Sequence, residues 1–193
     1  MKTHARVVVI GGGVVGVSTL YHLAKKGWSD AVLLERSELT AGSTWHAAGL
    51  LPLFNMSYTV GQLHKYSVDL YKRLPAETGQ DVSFHVTGNL RLATNKARMD
   101  EYLKYCGTAN TIGVPFEVIT AAQVKELWPL VNVGGDADTP KLIGALYHPD
   151  DGHIAPADLT MALRKGARAG GAQIHEQTEV TKVERTSSGE WRL

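Results

Sequence analysis

The sequence predicts an α/β fold: a parallel sheet flanked by helices, with a separate α+β segment inserted into it. Three observations carry this. A short β-branched run over residues 5–10 ends in glycines spaced G-x-G-x-x-G at Gly11, Gly13 and Gly16. An apolar stretch at 31–34 ends in an acid, Glu35. After that acid the alternation of strand and helix stops, and a loop rich in Gly, Ser, Thr and Ala occupies 36–53.

The first run suits a buried parallel strand, which needs apolar residues on both faces. At its carboxyl end each spaced glycine meets a separate need: Gly11 permits the tight turn, Gly13 the close approach of backbone to a pyrophosphate, and Gly16 the close packing of the next helix. That helix is expected over 14–26, with Val14, Val17, Leu20, Tyr21 and Ala24 near helical period and Gly27 as a stop. Its free N–H groups and dipole favour an anion at the N-terminus. Glu35 then falls about 20 residues beyond the last glycine, where a carboxylate accepts from ribose hydroxyls. The same charge disfavours a 2′-phosphorylated dinucleotide. Strand, glycines, helix, strand and acid in this order predict a Rossmann-like dinucleotide site.

Beyond the loop, a helix is expected over 58–78, a strand-turn-strand over 82–94 with its turn at Thr87-Gly88-Asn89, and a helix over 97–111. A strand follows at 115–119, and Thr120 with Gln123 forms the pattern of a capping box. Another strand is expected at 142–147, a proline-started helix at 156–169, and a third parallel strand at 172–175. Segments 180–185 and 191–193 complete a β-meander. The domains expected are therefore 1–53 with 142–193 for the nucleotide, and 54–141 as the inserted segment. The chain ends inside a strand with no complete substrate domain, so it is expected to be an N-terminal fragment.

Composition excludes several classes. With 20 Lys+Arg against 19 Asp+Glu, no strong field exists to attract nucleic acid or acidic lipid. No run of 18 apolar residues predicts a membrane span. The single cysteine, Cys106, fits a reducing compartment and a structural thiol. With no leader legible, a cytoplasmic location is expected, or the mitochondrial matrix if this is a mature chain.

Three stretches, 9–16, 33–50 and 147–154, carry a resemblance that covers nearly the whole chain. The most specific is Ala41-Gly42-Ser43-Thr44-Trp45-His46-Ala47-Ala48-Gly49-Leu50. The sequence resembles the FAD-dependent amine oxidoreductases of the D-amino-acid-oxidase-like group, most nearly the dimethylglycine and sarcosine dehydrogenases. The resemblance implies that Val14 and Val15 line the pyrophosphate turn, and that Glu35 and Arg36 hold the ribose and adenine end. It assigns Gly42, Ser43, Thr44, His46, Ala47, Ala48, Gly49 and Leu50 to phosphate and flavin contact. His46 matches the histidine joined covalently to FAD in that family, a role an imidazole nitrogen suits chemically. The implied reaction oxidises a secondary or tertiary N-methyl amine such as dimethylglycine or sarcosine, with a hydride equivalent passing to FAD. The resemblance also implies a tetrahydrofolate domain downstream; catalytic residues are expected beyond Leu193, and the electron acceptor is open. A non-catalytic regulatory or structural relative is the alternative, against which His46 argues. A nicotinamide-dependent dehydrogenase is disfavoured by the loop after Glu35.

Other candidates carry less. No metal site is expected from His148, Asp150, Asp151 and His153, since no familiar ligand spacing completes one. His153 is expected near flavin or substrate, or in a turn-stabilising role. His64 and Asp69 do not share a helix face. Arg91 is expected to be a solvated strand charge rather than a carboxylate ligand.

Overall fold

The computed structural model describes residues 2–193, and the chain divides into two compact units. Among the described residues the first comprises 2–49, 71–83 and 154–193, and the second 50–70 and 84–153.

In the first unit, strands β1 (Val7–Ile10), β2 (Ala31–Leu34) and β9 (Gln173–His175) form a parallel sheet in the order β1-β2-β9. Strand β2 lies between the others and all four of its side chains are buried, as its unbroken Ala-Val-Leu-Leu sequence requires. Helices α1 (Val14–Lys25) and α5 (Pro156–Ala169) pack against each other through small residues. A Cβ at Gly166 would lie 2.6 Å from the Tyr21 ring, and one at Gly170 would lie 2.8 Å from Ala24 Cβ. The i, i+4 glycines of α5 and the segment just after it therefore set how closely α1 approaches. Full burial of Leu20 and Leu163 adds roughly 1.5–3 kcal/mol each. Tyr21 Oη and Lys25 Nζ both reach Glu77 Oε2, tying α1 to residues 71–83 and holding the Glu77 carboxyl down at about 2. Residues 71–83, grouped by sequence with the inserted segment, thus belong by contact to the first unit. The terminal residues form a two-stranded ribbon, β10 (Glu184–Arg185) against β11 (Trp191–Arg192).

The second unit holds two antiparallel three-stranded sheets. In one, β7 (Gly144–His148) lies between β5 (Asn89–Ala93) and β6 (Glu117–Thr120). On one face Ala93 and Leu146 pack with Tyr102, Tyr105 and Ala109 of α3 (Lys96–Ile112). On the other, Ile119 and Ala145 pack with Val124 of α4 (Ala121–Leu127), Val131 and Leu142. Helix α3 starts where Asn95 accepts from Arg98 N at 2.9 Å and stops at Gly113 with φ +76°. Helix α4 has the full capping box of Thr120 and Gln123. Because β7 pairs with β5 and β6, residues 142–153, grouped by sequence with the nucleotide domain, sit in this unit.

The second sheet has β8 (Gly152–His153) between β3 (Leu50–Leu51) and β4 (His85–Val86). The expected strand-turn-strand over 82–94 is present, but β4 and β5 do not pair with each other. Instead β4 pairs with β8 and β5 with β7, so 85–93 runs as one broken ribbon against 144–153. At the break the Asp151 carbonyl accepts from both Thr87 N and Gly88 N, at 3.1 and 2.8 Å. Helix α2 (Tyr58–Thr78) matches the periodicity of its sequence. No helix among the described residues is long and apolar enough to cross a membrane.

Candidate functional site

At the carboxyl end of β1 the chain turns through Gly11, whose φ of +107° a side chain disfavours. Gly12 follows, buried, and its N–H donates to Glu35 Oε2 at 2.6 Å. A Cβ at Gly12 would lie 2.6 Å from Leu39 and 2.9 Å from Glu35, and one at Gly16 would lie 2.0 Å from the Gly11 carbonyl oxygen. The G-x-G-x-x-G spacing assigns no role to Gly12, yet the fold encloses it between two side chains; a third consecutive glycine was the only signal for it.

Helix α1 begins at Val14, with Gly13 as its N-cap and no acid in its first turn. Val14 N donates to Thr44 Oγ1 at 2.9 Å. The other first-turn N–H groups have no carbonyl in reach within the helix and point out of its N-terminus, as anion binding requires. Thr44 is buried, so Thr44→Val, which keeps its volume, is expected to cost about 1 kcal/mol of unfolding free energy and to weaken flavin binding. Urea unfolding and flavin titration check this; unchanged values for both would refute a role for the bond.

Glu35 takes Gly12 N on one oxygen and Ser37 N on the other, at 2.6 and 2.8 Å. Each oxygen keeps a lone pair for a hydroxyl donor. The main chain of Glu35 is fixed too, by His175 O at 2.9 Å and Thr178 N at 2.8 Å. The loop after it folds back over the glycine turn: Thr40, a β-branched residue at φ +71°, donates its N–H to Gly12 O at 3.0 Å. Backbone strain of this kind persists where surrounding bonds impose it, and it collects at functional sites.

These pieces enclose an open groove of about 550 Å³ lined by Gly11–Val15, Glu35–Ser37, Ala41–Thr44 and Ala47. Of the residues singled out by sequence, Gly11, Gly13, Val14, Val15, Glu35, Arg36, Gly42, Ser43, Thr44 and Ala47 lie together there. Gly12, Ser37 and Ala41 join them. Gly16 stands behind the lining as a packing residue. His46 is exposed and outside the lining; its Nδ1 meets Gly42 O at 3.1 Å and its ring lies 3.9 Å from that of Trp45. Because a carbonyl only accepts, Nδ1 carries the hydrogen of that bond, and in the neutral ring Nε2 holds the lone pair. Ala48 is exposed, and Gly49 accepts from Ile154 N at 2.9 Å. Leu50 belongs to the second unit, in β3.

A cofactor of the FAD type fits this arrangement: the glycine turn leaves backbone where side chains would block a diphosphate, the helix start supplies N–H donors, and Glu35 offers acceptors for ribose. No three His, Cys, Asp or Glu among the described residues gather as a metal site.

The second unit holds a separate buried polar group. Asp151 accepts from Leu53 N at 2.9 Å, and Leu53 O accepts from Tyr105 Oη at 3.2 Å. His148 Nδ1 meets Pro115 O at 3.1 Å, and its ring lies 5.5 Å from that of Tyr105. Burial pushes the Asp151 carboxyl up to about 6, the Tyr105 phenol up to about 12 and the His148 imidazole down to about 4. Arg91 is half-buried rather than fully solvated: its Nε is buried and its guanidinium carbon lies 4.3 Å from the centre of the Phe54 ring. Strand β5 turns it toward the same face as Leu146, its partner across the ladder, which is why sequence alternation alone misplaced it. Cys106 donates to Tyr102 O at 3.3 Å, and burial raises its thiol, which suits a structural residue.

Comparison with known proteins gives consistent matches. The family model described as FAD dependent oxidoreductase matches residues 6–193. Dimethylglycine dehydrogenase, mitochondrial, of Mus musculus is 46% identical over 98% of this chain and 21% of its own length. Sarcosine dehydrogenase, mitochondrial, of Homo sapiens is 43% identical over 95% of this chain and 19% of its own. The chain thus spans about a fifth of the length of these relatives. Among solved structures, L-proline dehydrogenase from P. horikoshii superposes with a TM-score of 0.87 at 29% identity, over 97% of this chain and 48% of that one.

Proposed function

The chain belongs to the FAD-dependent oxidoreductase family, and from that premise we propose that the protein of which it forms the cofactor-holding part oxidises a secondary or tertiary N-methyl amine such as dimethylglycine or sarcosine. The observation that carries the cofactor half of the proposal is the convergence of the glycine turn, the Glu35 carboxylate and the 41–47 loop on one groove. The substrate half rests on the likeness to N-methyl amino acid dehydrogenases. Bound flavin supplies the two-electron acceptor that amine oxidation needs.

The chain's own residues then have defined work. The start of α1 holds the diphosphate through N–H groups, with Thr44 fixing Val14 so that the neighbouring donors are correctly aimed. Glu35, pinned from two sides by backbone N–H groups, offers its remaining lone pairs to the ribose. Gly42 O keeps the hydrogen of His46 on Nδ1, leaving Nε2 as the nitrogen for covalent attachment. Residues that hold the amine and a tetrahydrofolate-binding domain are proposed for the rest of the protein. A mitochondrial location is what the relatives' names support, over the cytoplasmic expectation drawn from the lack of a legible leader and the single cysteine.

The test uses the full-length protein. Visible absorption and peptide mass spectrometry are expected to find flavin that survives acid denaturation on the peptide containing His46. In His46→Ala the flavin is expected to be released by acid. Release from the wild type would remove the covalent assignment, and absence of any bound flavin would remove the proposal. Turnover is expected with dimethylglycine or sarcosine; a flavin-loaded protein inert toward N-methyl amines would favour the regulatory relative.

A further inference from the structure

We propose that His85 and His153 form a two-imidazole chelate for a borderline divalent transition ion such as Zn2+ on the exposed face of the β3-β8-β4 sheet. The two histidines are 68 positions apart in sequence but directly opposite each other in the antiparallel pairing of β4 with β8. Directly opposed side chains project from the same face, with Cβ atoms about 4.5–5.5 Å apart. Their ring centres are 5.0 Å apart and their planes are inclined at 40°. With metal–nitrogen bonds of about 2.0–2.1 Å, a tetrahedral ion holds two imidazole centres roughly 5 Å apart, so little movement separates this geometry from a chelate.

Among the described residues both side chains are exposed and neither imidazole has a hydrogen-bond partner. On the other side of His153 the ladder places Leu50, which brings neither a competing acceptor nor a charge to the row. The strands beneath are held closely: a Cβ at Gly152 would lie 2.0 Å from the His85 carbonyl oxygen, and the Asp151 carbonyl takes Thr87 N and Gly88 N. A rigid backing of this kind limits the ordering cost of bringing two ligands to one ion. Two neutral nitrogens suit Zn2+, Ni2+ or Cu2+ and offer little to Mg2+ or Ca2+. Water completes the coordination, since no third His, Cys, Asp or Glu joins the pair among the described residues. The inference does not use the flavin reading, but the resemblance assigns Leu50, the ladder neighbour of His153, to flavin contact, so the test is made with flavin bound.

Isothermal titration of the flavin-loaded full-length protein with Zn2+, in a non-chelating buffer and with Ca2+ in parallel, tests it. One equivalent of Zn2+ that depends on both histidines is expected, with no Ca2+ taken up by the pair, and this Zn2+ should raise the thermal midpoint because the pair forms only in the folded chain. His85→Asn and His153→Asn are each expected to lose both the binding and the thermal shift while keeping the flavin spectrum. If an Asn variant fails to fold, as loss of flavin absorbance would show, His85→Gln and His153→Gln take its place. Absence of saturable Zn2+ binding in the wild type, or wild-type affinity in either single variant, would overturn the proposal.

Discussion

Gly16→Ala is expected to weaken flavin binding in the full-length protein by up to roughly a hundredfold. The added Cβ would lie 2.0 Å from the Gly11 carbonyl oxygen and 3.2 Å from its carbon, and both are backbone atoms that no rotamer change can move aside. Relief requires α1 to shift away from the turn, which withdraws the N–H donors from the diphosphate. Overpacking of this kind costs about 1–3 kcal/mol or more. If it falls on cofactor affinity, the upper value corresponds to roughly a hundredfold weaker binding. Gly107→Ala is the control. That glycine lies on the exposed side of α3, a Cβ there meets nothing within 4 Å, and the change is expected to stabilise by up to about 1 kcal/mol. Flavin titration and urea unfolding of both variants check the contrast, and wild-type flavin affinity in Gly16→Ala would show that the turn does not govern the groove.

The second large effect is on the pH dependence of stability. Asp151 titrates at about 6 in the fold against 3.8 for a free side chain, so folding favours its protonated form. The stability linked to it is fully present below pH 3.8 and lost as the pH rises through 6, up to about 3 kcal/mol. His148 has the opposite sign. Its pKa falls from 6.5 to about 4, so its contribution is present above pH 6.5 and lost as the pH falls through 4. In the wild type the two slopes oppose each other between pH 4 and 6.5. Asp151→Asn leaves the histidine uncompensated: relative to wild type, the variant is expected to lose up to about 3 kcal/mol between about pH 7 and about pH 4. His148→Gln should show the reverse trend. Urea unfolding across this range measures both, and a flat difference between Asp151→Asn and wild type would exclude a buried, titrating Asp151.

Much of the first unit was legible in the sequence because its signals are local. The Val7–Ile10 run, the spaced glycines and the Ala31–Leu34 strand ending at Glu35 each lie within a few residues, and the structure builds from them the parallel sheet and the glycine turn. The helices at Tyr58–Thr78 and Pro156–Ala169 were equally plain from period and from the proline start. Strand partners were less so. Nothing in residues 82–94 distinguishes a hairpin from two strands joining separate sheets, since period-2 alternation fixes a face and leaves the partner open. Likewise Arg91 alternates as a surface charge should, yet its ladder neighbour Leu146 faces the core.

The nucleotide turn, its acid and the family can be read along the chain, since backbone geometry at Gly11 and Gly16 and a carboxylate at a strand end are properties of a short stretch of residues. Folding was needed to reveal that Gly12 is locked between Glu35 and Leu39, that Thr44 reaches back 30 residues to Val14, and that His85 stands opposite His153. These depend on which distant segments meet. That is settled by burial of whole faces and pairing of whole strands, energies that no short window of sequence contains.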